Sequence, residues 1–283
     1  MASRMLATLA AGLFLAAGRA HPQAPAYSPS SIVNAASSEP GPLSPNGIGT
    51  LFGQNLAYVT RALQSDDIRD NRLPTQLTGA GVRVLIANIP AFLYFVSPRQ
   101  VNFLVPSNLR TGNYDLQLVL DGRAGPSVRV EIAPAAPALF VRDERIAIAV
   151  RADGSLVTAS KPARPGEVVI LYANGLGATQ PPLQPGQVAK EAAWVEPRDG
   201  FRVLLNGQPV APDRILYAGV APGFAGLYQV NLMLPAGLPA DPEIRISAGG
   251  GTSPAGILLP AATGSPEATS NLQLQSRIRT SVP

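Results

Sequence analysis

Three blocks of this sequence occur twice in the same order, and the repeat restricts the possible folds more than any other feature. Residues 47–56 (GIGTLFGQNL) resemble residues 166–176 (GEVVILYANGL). Residues 82–91 (VRVLIANIPA) resemble 201–211, which begin FRVLLNGQPV. Residues 100–106 (QVNFLVP) resemble 229–235 (QVNLMLP). The spacing from the middle block to the last is longer in the second copy, which holds the additional segment GVAPGFAG at 219–226. A chain with two such copies builds one unit twice.

The unit reads as β. In the first copy, strands are expected at 48–52, 82–86, 92–96, 101–105, 114–120 and 128–132. In the second they are expected at 168–172, 201–205, 215–218, 228–234, 244–247 and 257–259. Residues 114–120 (YDLQLVL) partly alternate apolar and polar, as a half-buried strand does. Asn206 and Gly207 stand between two apolar runs, and this pair best tolerates the two positive φ angles of a type I′ turn. Asp153 and Gly154 carry the same signal between residues 146–151 and 156–159. Turn signals every ~8–12 residues and about seven strands per copy predict an all-β chain of two tandem immunoglobulin-like β-sandwiches. The first is expected over 27–137 and the second over 138–262. Between them, residues 133–137 (APAAP) predict a short, semi-rigid connection and limited freedom between the halves.

Composition agrees with this reading. Charged residues are 14% of the chain, while 29 Pro and 27 Gly make about a fifth of it. Long surface helices need Lys and Glu on their wet faces, and this chain is short of both. The formal charge of +4 includes Arg4 and Arg19 in the first 20 residues; without them the balance is +2. Neither value points to a nucleic-acid surface, which requires clustered basic residues, or to a polybasic membrane patch.

The two ends carry their own signals. Arg4 precedes an apolar stretch over residues 5–17 that closes on Gly18, Arg19 and Ala20, the pattern of a secretory signal peptide at 1–20. Cleavage fits after Ala20 or Ala26. The stretch is shorter than the ~20 residues that cross a bilayer, so no membrane span is expected after cleavage. The product is then secreted, periplasmic or on the cell surface. Residues 263–283 lack apolar periodicity and are expected to be a disordered tail.

Several motifs also carry a resemblance. They are Val33 to Ser37 (VNAAS), Phe52 to Leu56 (FGQNL), Phe95 to Phe103 (FVSPRQVNF), Tyr172 to Gly177 (YANGLG) and Ala221 to Asn231 (APGFAGLYQVN). Together they resemble a C-terminal domain family of exported acidobacterial proteins, and each half is similar to an IPT/TIG immunoglobulin-like domain. The resemblance spans residues 30–262 and implies export and a β-sandwich fold; it brings no activity with it. The residues also read as scaffold. Gly53, Gly175 and Gly177 are expected in turns of positive φ. Asn55, Asn102 and Asn231 are expected to bind loop backbone.

No catalytic constellation is visible, and the chain is expected not to be an enzyme. The sole His is His21, beside the signal cleavage region, and there is no Cys. Triad chemistry, thiolate chemistry and imidazole-ligated zinc therefore lack their residues. Residues 66–71 (DDIRDN) lack the spacing of a calcium loop, and Arg69 and Arg72 oppose a cation. No cofactor and no metal are expected.

Binding is the better reading. Two connections, 57–77 and 178–200, are long enough to be functional. The first carries Tyr58 and Arg61, the second Trp194 and Arg198. Trp194 is the single Trp, and Trp with Arg is a favoured interface anchor. The four residues are the candidate contacts of an exported, non-catalytic module for an extracellular or envelope protein or glycan, with no nucleic-acid partner. Two alternatives remain open: a structural spacer or subunit of a surface assembly, and a glycoside hydrolase using loop carboxylates among Asp66, Asp67, Asp70, Glu191, Glu196 and Asp199.

Overall fold

The computed structural model describes residues 23–143 and 145–264. The expected signal peptide, apart from its alternative cleavage site after Ala26, and the expected tail beyond Gly264 lie outside the described residues. The described residues contain strands and 3-10 turns and no α-helix.

The first half contributes β1 (Ile32–Asn34), β2 (Ile48–Phe52), β3 (Arg61–Ala62), β4 (Val82–Ile86), β5 (Ile89–Pro90), β6 (Phe92–Val96), β7 (Gln100–Leu104), β8 (Gly112–Leu120), β9 (Arg123–Ala124) and β10 (Val128–Ile132). They form two antiparallel sheets, ordered β1-β2-β7-β6-β3 and β10-β8-β4-β5, with β9 on β8. Alternation explains the packing. In β10, Val128, Val130 and Ile132 are buried while Arg129 and Glu131 face water. In β4, Val82, Val84 and Ile86 turn inward while Arg83 is exposed. These side chains close on Leu51, Val101 and Phe103 of the facing sheet in one core. Each fully buried side chain of this size contributes roughly 1.5–3 kcal/mol.

The second half contributes β11 (Ala138–Leu139), β12 (Val141–Arg142), β13 (Ile146–Ala147), β14 (Ala149–Val150), β15 (Val168–Asn174), β16 (Thr179–Gln180), β17 (Ala193–Val195), β18 (Arg202–Leu205), β19 (Gln208–Pro209), β20 (Ile215–Val220), β21 (Tyr228–Met233), β22 (Ile244–Ala248) and β23 (Gly251–Thr252). One sheet runs β11-β15-β21-β20-β17-β16, with β14 on β15, and the other runs β19-β18-β22-β23. Leu171, Val230, Val203 and Ile246 meet between the two sheets in a second core. The chain is all-β, two immunoglobulin-like sandwiches in tandem.

Three expectations change. Residues 257–259 form no strand and make only isolated bridges to Ile146 and Glu243. The hairpin partner of β22 is β23, because Gly249 and Gly250 both take positive φ and turn the chain at once. At Asp153 and Gly154 only the Gly has positive φ. Gly154 N–H donates to Arg151 O at 2.9 Å, and Arg151 N–H donates to Ser155 O at 2.9 Å. This is a three-residue loop with a Gly bulge and not a two-residue I′ turn. Asn206 and Gly207 do form the I′ turn, with φ of 48° and 76°. Gly53 is not in the left-handed region. It is small because a Cβ there would come within 2.5 Å of the Ala26 carbonyl oxygen.

The two sandwiches pack directly. Leu73, Phe92 and Leu104 of the first meet Val188 and Ala225 of the second in a small apolar cluster. The Gly226 position admits no side chain, since a Cβ would collide with Leu104. Tyr94 Oη donates to Ala225 O across the same seam. Burial raises the Tyr94 phenol pKa, against the lowering effect of that hydrogen bond. Nearer the junction, Asn174 Nδ2 donates to Asn34 Oδ1 at 2.8 Å. Asn34 Nδ2 in turn donates to Ala136 O, in the Pro-rich connection, at 2.9 Å.

Candidate functional site

Trp194 is not in a loop. The connection after residue 178 folds back as β16 and β17 and extends the sheet, so Trp194 pairs with Gly219 on one side and Gln180 on the other. Ala193 and Val195 point into the core. Trp194 therefore lies on the outer face. There its ring meets Tyr217 edge-on, with centroids 4.8 Å apart at 70°. Arg198, on the 3-10 turn Arg198–Gly200, lays its guanidinium 3.9 Å from the Trp194 ring centre. That geometry is a cation–π contact.

Tyr217 is set by a bulge. The β20–β21 register slips between Ile215 and Tyr217, which turns Tyr217 to the outer face beside Trp194. Its hydroxyl donates to Val220 O at 2.6 Å. Burial raises its pKa, opposed by a weaker backbone hydrogen bond to Ala193. Gly219 makes room for this arrangement, since a Cβ there would come within 2.6 Å of the Tyr217 hydroxyl. Beside Trp194 an open groove of about 480 Å³ is lined by Arg198, Asp199, Phe201 and Arg202. Arg202 is held in place by the carbonyls of Asp199 and Phe201.

The register carries the outer face further. Tyr172 pairs with Gln229, Gln229 with Gly219, Gly219 with Trp194, and Trp194 with Gln180. One row across five strands thus holds two aromatic side chains and two amides, with a second row of Ile170, Asn231 and Tyr217 next to it. Gln229 Nε2 donates to Asn231 Oδ1 at 2.7 Å. Asn231 and Asn102 therefore do not bind loop backbone. Each sits in mid-strand and accepts from the Gln two residues before it. Alternation was the available signal, because residues two apart in a strand share a face.

The other two candidates belong to the first sandwich, and no hydrogen bond or ion pair among the described residues joins them to Trp194. Arg61, on edge strand β3, donates twice to Asp67, at 2.9 and 3.2 Å. Asp67 also accepts from Gln64 N–H at 2.9 Å, so the Arg61 side chain holds its own loop together. Tyr58 is half exposed, and its hydroxyl accepts from Arg123 Nη1 at 3.0 Å. Of the loop acids, Asp67 is occupied by Arg61, while Glu196 and Asp199 stand exposed near the groove. Among the described residues no group of three His, Cys, Asp or Glu is placed to hold a metal ion.

A larger hollow of about 750 Å³ lies between Arg151, Lys161, Arg164 and Glu167. Arg151 is committed there to Glu167 at 2.6 Å and to the carbonyls of Leu156, Lys161 and Pro162. This hollow is the bracing of a loop.

The class these features define is a tandem immunoglobulin-like β-sandwich chain with an aromatic and amide face on its second sheet. No family model and no characterised relative matches the sequence. Solved structures do align with it. A surface glycan-binding protein from Prevotella bryantii is 12% identical, over 84% of this chain and 42% of that one, with a TM-score of 0.27. The surface glycan-binding protein B of a Bacteroides ovatus mixed-linkage glucan utilization locus, solved with a heptasaccharide, is 12% identical over 87% and 47%, with a TM-score of 0.32. The tandem Ig repeats of Dlar are 10% identical over 78% and 92%, with a TM-score of 0.21. The chain spans less than half the length of the first two. No helix among the described residues is long and apolar enough to cross a membrane.

Proposed function

We propose that this chain is an exported, non-enzymatic module that binds a neutral extracellular or envelope glycan on the outer face of its second sandwich. The observation that carries the reading is the row of Tyr172, Gln229, Gly219, Trp194 and Gln180. Five strands about 4.8 Å apart make it about 19 Å long, the scale of several sugar rings. Aromatic side chains offer apolar faces to the C–H side of a sugar, and amides offer a donor and an acceptor to its hydroxyls. No side chain in the row itself is charged at neutral pH, and the cation laid against it, Arg198, is engaged by the Trp194 ring. The signal-peptide pattern supports export, and the lack of Cys, and of any His after His21, supports a non-catalytic role.

The test is co-sedimentation of purified protein with an envelope fraction, before and after protease treatment of that fraction. Binding that survives protease and falls at least tenfold in Trp194→Ala is expected. Binding abolished by protease would replace the glycan with a protein partner. Binding unchanged in Trp194→Ala would remove the site from this face.

A further inference from the structure

The face described on the second sandwich has a counterpart on the first. Phe52 pairs with Gln100 as Tyr172 pairs with Gln229. Thr50, Asn102 and Phe95 stand in one row as Ile170, Asn231 and Tyr217 do. Both sheets carry the bulge at the same place, between Leu93 and Phe95 and between Ile215 and Tyr217. Both carry the same amide bond, from Gln100 Nε2 to Asn102 Oδ1 at 2.9 Å and from Gln229 Nε2 to Asn231 Oδ1 at 2.7 Å. The repeated Gln-Val-Asn motif thus has a use that a purely structural role does not require. It holds two amides side by side on an outer face, between aromatic side chains.

We infer that Phe52, Gln100, Asn102 and Phe95 form a second site for a neutral sugar ring. Phe52 ends β2 with 41% of its surface exposed, a large apolar side chain left to solvent at the edge of this strip. Among the described residues Gln100 Oε1 and Asn102 Nδ2 make no hydrogen bond, so the pair offers a free carbonyl oxygen as acceptor and a free NH2 as donor. None of the four residues is ionisable, which suits a neutral polyol and not a sulfated or uronic one. β7 lies between β2 and β6, so its backbone is already paired and cannot add a peptide strand. The strip covers three strands, about 10 Å. A patch of that width covers on the order of 100–200 Å², far short of the ~800 Å² per partner that a stable protein interface needs. One chain with two sites joined by packed sandwiches would hold a polysaccharide at two points.

The inference rests on the glycan reading of the second sandwich, and the single Trp separates the two. Trp194 fluorescence reports only the second sandwich, whereas calorimetry counts every bound ligand. The probes are cellohexaose, xylohexaose, mannohexaose and maltohexaose, with hexagalacturonate as the anionic control. For a neutral probe that binds, calorimetry is expected to give two equivalents. Phe52→Ala is then expected to give one, with the fluorescence titration unchanged. On the matching polysaccharide, Phe52→Ala should lower apparent affinity on the order of a hundredfold, through lost avidity. Gln100→Glu, which places a charge in the strip, should act in the same direction. One equivalent in the unaltered protein, unchanged by Phe52→Ala, overturns the second site and leaves the Trp194 face standing. One equivalent that Phe52→Ala removes, with no fluorescence response, supports this site and overturns the Trp194 face. No heat with any neutral probe overturns both.

Discussion

Asn174 and Asn34 are 140 residues apart, and their side-chain amides meet in a buried hydrogen bond of 2.8 Å. The same Asn174 amide takes both backbone groups of Ile48, accepting from its N–H at 2.8 Å and donating to its carbonyl at 2.7 Å. One side chain of the second sandwich thus closes the end of a strand in the first. Asn174→Ala leaves the Ile48 N–H without its partner, at a cost of about 1–3 kcal/mol, while the Ile48 carbonyl keeps its bond from Ala35 N–H at 3.1 Å. The expected loss is about 1–3 kcal/mol in urea unfolding. Separate transitions for the two sandwiches are expected to appear. Asn174→Asp should cost at least as much, because a carboxylate cannot donate to Ile48 O or to Asn34 Oδ1.

Gly175 follows directly and shows how tightly the junction is held. Its φ is +74°, and a Cβ would collide with the Ala136 carbonyl oxygen. Gly175→Ala is expected to cost roughly 3 kcal/mol or more, since backbone strain and collision act together. Gly207 has a similar φ of +76° but open space around it. Gly207→Ala should cost only roughly 1–2 kcal/mol. Equal losses in thermal or urea unfolding would contradict the clamp at Ala136.

The Arg61 and Asp67 pair should matter for the fold and not for binding. Its side chains are 24% and 6% exposed, so the pair is only partly screened by water. Arg61→Ala is expected to lower stability by about 1–3 kcal/mol, because it leaves Asp67 enclosed without its main partner. Sugar binding measured by Trp194 fluorescence should not change.

Alkaline pH should unfold the protein early. Tyr27, Tyr94, Tyr217 and Tyr228 all have pKa values raised by burial. Above pH 10 the unfolded chain loses these protons before the native state does. The stabilisation from keeping them protonated is therefore complete below pH 10 and is lost as pH rises towards the folded values. Tyr94 and Tyr228, the most enclosed, each contribute a slope of up to about 1.4 kcal/mol per pH unit in that window, and Tyr27 and Tyr217 act in the same direction. Urea midpoints measured from pH 8 to 12 are expected to be flat and then fall steeply. Tyr94→Phe or Tyr217→Phe should soften the fall.

The strands at 82–86 and 128–132 were legible with their boundaries, because alternation of buried and exposed residues repeats every two positions and needs no knowledge of the partner strand. The I′ turn at Asn206 and Gly207 was legible for a similar reason, since positive φ restricts residue type locally. The outer-face amides were half legible. Alternation puts Gln229 and Asn231 on one face, but nothing local says which face is wet. Trp194 was misplaced because β17 is a three-residue strand set by pairing with β16 and β20 and by burial of Ala193 and Val195, none of which is local.

By itself, then, the sequence determined the β class, the duplication and most strand positions. These follow from steric and burial preferences that act within a few residues. The tertiary structure alone decided that Trp194 joins Tyr172 in one row, that Asn174 caps a strand in the other sandwich, and that Arg61 is spent on Asp67. Those contacts form only when segments far apart in the chain are packed. Their energy depends on the burial and hydrogen bonding of both partners at once.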